Sequence, residues 1–207
     1  ELLPQFAQET NLKNNQTTKV VTFTNQIKGI SITFNTDKVH FTQDIKPEEP
    51  ARREDIINNF VQLVTDCFSK VHPIYYSDKM FNRIALITTG IKPLSPQSKI
   101  SFIDSLCSGL TGKRNSIELK FRVSYREQLT SSSEQVNITT MLNDGIFEKT
   151  DIRKNITTRS DCFLIQLDLN TLEENATPRF DLKSTQAVIT ELKQLSESQI
   201  AAIISKF

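Results

Sequence analysis

The chain has 207 residues, 37% of them hydrophobic and 24% charged, with 13 Phe and no Trp. At this length roughly 70% of the unfolded chain's surface can be buried, enough for a core without metal or disulfide staples. Lys and Arg number 25 against 24 Asp and Glu, so no global field draws the molecule onto nucleic acid or an anionic membrane. Apolar runs such as 200–204 are far shorter than the about 20 residues that a bilayer span needs. These bounds predict a soluble chain, either one domain or two small packed halves.

Residues 1–18 are polar, rich in Asn, Gln and Thr and without a sustained period. They read as a flexible N-terminal arm, with 19–207 as a single α+β domain, for which halves 19–112 and 113–207 are one option. Segments 19–24, 29–35 and 38–44 read as strands. Ile30, Ile32 and Phe34 alternate with Ser31 and Thr33, and Val39 and Phe41 resume the pattern after Asn35-Thr36-Asp37, which predicts a hairpin with a short polar turn. Pro47 and Pro50, with Glu48 and Glu49 between them, end the sheet and precede a helix. Ile56, Phe60, Val61, Val64, Cys67, Phe68 and Val71 then fall at helical spacing, predicting a helix that stops before Pro73.

A short strand is expected over 81–89. Ser95-Pro96 supplies an N-cap and a first-turn proline, and Ile100, Ile103, Leu106, Cys107 and Leu110 continue as a helical stripe that closes near Gly109 and Gly112. Segment 116–128 alternates cleanly. Ile117, Leu119, Phe121, Val123 and Tyr125 face one way, and Glu118, Lys120, Arg122, Ser124 and Arg126 the other. Another strand follows at Val136, Ile138 and Thr140, then a turn at Asn143-Asp144-Gly145 into a strand over 146–152. The apolar run over 161–170 reads as a central strand buried on both faces. Asp181 is a candidate N-cap for a helix through Leu195, and Ser196-Glu197-Ser198-Gln199 resembles a capping box that restarts a last helix. Strands joined by short turns predict a mostly antiparallel sheet with helices packed on one face.

The residues give little support to catalysis. His40 and His72 are the chain's two histidines, and neither has a Cys or His neighbour at metal-ligand spacing or a nucleophile motif nearby. Gly109-Leu110-Thr111-Gly112-Lys113-Arg114 ends in Gly-Lys, yet the spacing is wrong for a phosphate loop and it reads as a helix end and turn. Asp161 and Asp168 bracket one strand, and Asp66 and Asp104 lie on helices. Acids at strand ends can hold magnesium, which keeps a carboxylate-dependent metal nuclease as one alternative. No cofactor is expected.

Basic residues carry the binding expectation. Lys113 and Arg114 lie in the turn, Lys120, Arg122 and Arg126 project from one strand face, and Arg153, Lys154 and Arg159 lie in a loop able to fold beside them. The plain reading of such charges is a solvated face. The functional readings are a protein partner or the phosphate backbone of a nucleic acid. Against the latter, Phe121 and Tyr125 point to the opposite face, where they cannot stack bases above the basic side chains.

Cys67, Cys107 and Cys162 are widely separated and sit in apolar runs, as reduced, buried thiols of a cytoplasmic protein would. Asn-x-Thr sequons at Asn15, Asn137, Asn155 and Asn175 are frequent by chance in a chain this rich in Asn and Thr. The start at Glu1 rather than Met suits a trimmed or processed product.

Two segments resemble a sporadically distributed family of uncharacterised bacterial proteins. Arg83-Ile84-Ala85-Leu86-Ile87-Thr88-Thr89-Gly90-Ile91 is similar to that family's central strand with its Arg-Ile-Gly-Leu-Arg-Tyr-type motif. Leu167-Asp168-Leu169-Asn170, Phe180-Asp181 and the closing helices are similar to its C-terminal strand and helix pair. Ile87 stands where the motif has its second Arg, and no His follows Leu195. The resemblance spans about half the chain. It implies an α+β fold with two related halves and a bacterial or mobile-element origin, and it carries no activity. The function expected is that of a non-catalytic interaction protein, a small subunit or accessory of a larger bacterial assembly. It would bind a protein partner, or alternatively nucleic acid, and no membrane.

Overall fold

The computed structural model describes residues 7–11, 20–26, 29–34, 38–44, 53–111, 118–151 and 154–206. Contacts within the chain gather into two compact units, Glu1–Lys79 and Met80–Phe207. Each contains a four-stranded antiparallel sheet, so the chain is α+β as its sequence predicts. The division foreseen at 112/113 falls inside the second unit.

The first unit is a meander of β1 (Ala7–Asn11), β2 (Val20–Asn25), β3 (Ile30–Phe34) and β4 (Val39–Gln43), followed by α1 (Arg53–Tyr75). Register places Phe23 beside Ile32 and Ile32 beside Phe41. This apolar face packs with Leu63 and Cys67 of α1. The other face is polar, with Thr22 bonded to Thr33 at 3.2 Å and Ser31 to Thr42 at 2.5 Å. Two expectations change here. Ala7–Asn11, assigned to a flexible arm, is an edge strand that pairs with Val20–Thr24. Main-chain pairing of this kind leaves no apolar period to read. Helix α1 also runs through Pro73. At the last turn the missing N–H removes a single bond, and Tyr76 N still donates to His72 O at 2.8 Å.

In the second unit β5 (Ala85–Pro93), α2 (Pro96–Thr111), β6 (Lys120–Gln128), β7 (Gln135–Asp151), β8 (Ile156–Thr171) and α3 (Leu182–Ile204) follow in chain order, and the sheet runs β5-β8-β7-β6. Both helices lie on one face. Phe102 and Ile103 of α2 meet Phe163, Ile165 and Leu142, and Thr88 of β5 bonds Ser196 of α3 across a 3.2 Å contact. Ser95 caps α2 as predicted, its Oγ accepting from Ser98 N at 3.1 Å. Asp181 caps α3, accepting from Ser184 N at 2.7 Å. No helix of the described residues is long and apolar enough to cross a membrane.

Three sequence expectations are corrected in this unit. Asn143-Asp144-Gly145 is not a turn but the middle of β7, because Asp144 is held in line by Leu119, whose N–H donates to its carboxylate at 2.8 Å. Strand β8 is central, but its second face is not buried throughout: Leu164 is exposed, Gln166 and Asp168 are half-buried, and Asn170 is buried there. The predicted pair of closing helices is one continuous α3. Ser196, expected as a cap, is fully buried inside it.

Candidate functional site

With both helices on one side, the opposite face of the second sheet is open, and register fixes what it shows. Four cross-strand rows run from β5 to β6: Ile91, Leu164, Asn143, Lys120; then Thr89, Gln166, Met141, Arg122; then Ile87, Asp168, Thr139, Ser124; then Ala85, Asn170, Asn137, Arg126. Adjacent members of a row stand about 5 Å apart, so each row spans about 15 Å. The β5 side is apolar, with Ile87 53%, Ile91 50% and Leu164 36% exposed. The middle is amide and hydroxyl, and the β6 edge is basic.

The predicted basic residues fall out unequally. Lys120, Arg122 and Arg126 do share the open face, as the alternation of the strand requires. Two of them are matched by acids: Lys120 with Glu118 at 2.7 Å, and Arg126 with Glu174 while its Nε donates to Asn137 at 3.0 Å. Lys120 is held above the ordinary lysine value by its hydrogen bond to Glu118. Arg122 makes no ion pair with a described residue. Lys113, Arg114 and Arg153 lie outside the described residues.

Lys154 does not join this row. Strands β7 and β8 run on past β5 and β6 as a two-stranded arm, and its end at Asp151 lies about 27 Å along the strand from the Lys120 row. There Lys154 sits 3.9 Å from Asp151, beside a shallow cleft lined with Lys149, Ile156 and Thr158. Arg159, partway along the arm, pairs with Glu148 at 2.8 Å. Pairing of the long strands thus separates basic residues that the sequence allowed to meet.

Phe121, Val123 and Tyr125 occupy the helix side of β6, in register with Leu142, Thr140 and Ile138. Because β6 is the edge strand, they remain 38%, 41% and 40% exposed. Their phase follows the alternation read from the sequence, and the helices, packed over β8 and β5, leave this side of the edge strand half-exposed.

The carboxylates considered for metal chemistry do not converge. Asp161 and Asp168 are seven residues apart on one strand, so they project to opposite faces. Asp168 accepts from Asn170 Nδ2 at 3.0 Å, and Asp66 accepts from Gln62 at 2.9 Å. Asp161 belongs to a compact ion cluster with Lys99, whose Nζ lies 3.1 Å from Asp161 and 3.1 Å from Asp144. Burial opposes the Lys99 ammonium, but the two carboxylates outweigh it and hold the group above its ordinary value. Burial likewise opposes the Asp144 carboxylate, while the Leu119 N–H and Lys99 bring it below the usual range. With its proton donors committed to two acids, Lys99 is a tie between α2, β7 and β8. No group of three or more metal-ligating side chains gathers among the described residues. His40 is exposed on β4, and His72 is buried against the Phe68 ring, with centroids 5.3 Å apart.

Nothing in the sequence marks Ile87, Ile91 and Leu164 as a joint surface strip. Ile87 and Ile91 are four residues apart and so share a strand face, but Leu86 on the other side is equally apolar, and nothing local says which side meets the helices. No family model, curated protein or solved structure matches the chain.

Proposed function

We propose that this protein acts by binding rather than by catalysis, as a small accessory subunit of a larger bacterial assembly that docks a protein partner on the open face of β5-β8-β7-β6. The observation that supports this most directly is the apolar strip of Ile87, Ile91 and Leu164, exposed beside polar rows and a basic edge. An exposed apolar strip of this kind, bordered by polar residues, is a common mark of a surface that meets another protein. The buried thiols of Cys67 and Cys162 suit a reducing cytoplasm, and the resemblance carried by 83–91 supports a bacterial setting.

A tagged chain and its Ile87→Glu, Ile91→Glu variant test the reading in native cells. Both side chains are half exposed, so the variant keeps its melting temperature within a few degrees. It loses a protein partner that the wild type retains. Equal capture of the same partner by both forms defeats the proposal.

Nucleic acid is the second reading, favoured by Arg122 lacking an acidic partner among the described residues. Its test is a gel shift with random single- and double-stranded oligonucleotides. Micromolar binding that steepens at low salt and is lost in Arg122→Glu supports it over a protein partner.

A further inference from the structure

We propose that the outer edge of β6 takes an extended acidic segment of the partner as a fifth strand of the second sheet. This rests on the reading of the protein as a binding subunit, and it names how and to what chemistry β6 binds.

The direction of the backbone groups follows from the hydrogen bonds at both ends of the strand. Asp144 N donates to Leu119 O at 3.1 Å, and Leu129 N donates to Glu134 O at 2.8 Å. Alternate residues of an antiparallel strand turn their N–H and C=O to the same neighbour. Odd-numbered residues from 119 to 129 therefore bond toward β7. The even ones, Lys120, Arg122, Ser124, Arg126 and Gln128, turn their N–H and C=O outward at about 7 Å intervals. All nine residues of β6 are exposed. Such a row of outward groups is a template for an added strand.

The side chains say what kind of strand it takes. On the open face the edge presents Lys120, Arg122 and Arg126; on the other it presents the half-exposed Phe121, Val123 and Tyr125, with Glu127 at the far end of that row. Residues directly opposite across a strand pair share a face, and opposite charges there attract. The complementary strand alternates acidic with apolar residues. Its acids lie beside the arginines, above all Arg122, and its apolar side chains cover the three that the helices leave bare.

A second copy of this chain is the weaker fit. Two of its central registers set like charges opposite, and the third, centred on Tyr125, sets Gln128 rather than an acid opposite Arg122. Two β6 strands related by a two-fold axis place residues of equal parity opposite each other. Centred on Val123, the pairing sets Lys120 against Arg126; centred on Ser124, it sets Arg122 against Arg126. Like charges directly opposite destabilise a pair. Basic residues on an edge can also serve only to keep other strands away, and that protective role predicts no strand binding at all.

The probe is a synthetic ten-residue peptide alternating glutamate with valine and phenylalanine, titrated into the full chain, with a lysine-for-glutamate version as control. Amide hydrogen exchange is read by NMR. At saturation the outward amides of Arg122, Ser124 and Arg126 slow at least tenfold, while those of Val123 and Tyr125, already bonded to β7, change little. The lysine peptide has no effect. Ser124→Pro deletes one outward N–H and lowers affinity at least tenfold. Ser124→Ala, which loses the 2.8 Å contact to Thr139 but keeps the N–H, binds as the wild type does. If Ser124→Pro fails to fold, exchange in the native chain decides alone.

Unprotected outward amides, or equal binding of the lysine peptide, overturn the proposal and leave the protective role. A concentration-dependent dimer protected at those same amides assigns the edge to a second copy and overturns it as well. A natural partner whose binding is lost in Ile87→Glu, Ile91→Glu but kept in Ser124→Pro leaves the open-face reading standing and removes the added strand.

Discussion

Lys99, one turn into α2, reaches carboxylates on two strands, and that ion cluster sets a pH dependence for the second unit. Asp144 is depressed in the folded state, so its stabilising contribution is complete above the ordinary carboxylate range and is lost as pH falls through the folded value. Lys99 is raised, so its contribution holds below the ordinary lysine value and fades as pH climbs through the folded one. Asp144→Asn leaves the Lys99 ammonium one acid short in a largely buried place. It is expected to cost on the order of 1–3 kcal/mol at neutral pH. Urea unfolding at neutral pH and again well below the carboxylate range checks the sign, because the wild type and the variant converge in acid. A gap that persists unchanged in acid means that packing, not charge, explains the loss.

Gly29 offers a second test on single residues, in the first unit. Its φ is +62°, and a Cβ there would stand 2.3 Å from Asp44 O. Both the conformation and the space require glycine, so Gly29→Ala is expected to lose about 1–3 kcal/mol. Chemical denaturation measures it, and an unchanged midpoint shows that the β3–β4 end rearranges freely. Cys67 and Cys162 are buried, and burial pushes both thiols up. They are predicted to resist a thiol reagent in the native protein and to react on unfolding; rapid native labelling of both contradicts this packing. The side chain of Cys107 lies outside the described ones.

At the scale of elements, α3 shows how one buried stripe overrides a local signal. Val188, Leu192, Ser196 and Ile200 are buried at four-residue intervals, which keeps them on one side of an unbroken helix. A cap at Ser196 would break that stripe and turn Ile200 away from the sheet. The true cap is Asp181, and Asp181→Ala is expected to cost about 1 kcal/mol, seen as a lower melting temperature without loss of helix content. Strand β6 behaves differently, because its charged side chains carry little of the fold. Arg122→Glu with Arg126→Glu is expected to change stability by less than about 1 kcal/mol, the ordinary range for exposed charges. Calorimetry checks this, and outright unfolding would mean that the Arg126 links to Asn137 and Glu174 hold the loop after β8 in place.

At the scale of the whole chain, much of the helical structure and the hairpin of the first unit could be read directly. The α1 stripe, the Ser95 and Asp181 caps, and the alternation over Ile30, Ile32 and Phe34 all rest on neighbours a few residues apart. So does the phase of β6, with its arginines on one face and its aromatic rings on the other. Those signals are local, and the sequence by itself determined them. Which strand stands at an edge, and which apolar face meets a helix, are long-range choices. Leu119 pairs with Asp144 and Thr88 with Ser196, and these contacts run β7 straight through Asn143-Asp144-Gly145 and keep α3 whole. The same choices leave Ile87 and Ile91 outside, and carry Lys154 away from Lys120. Only the tertiary structure decided them, because equally apolar faces differ in what comes to cover them, and covering is settled by segments remote in the chain.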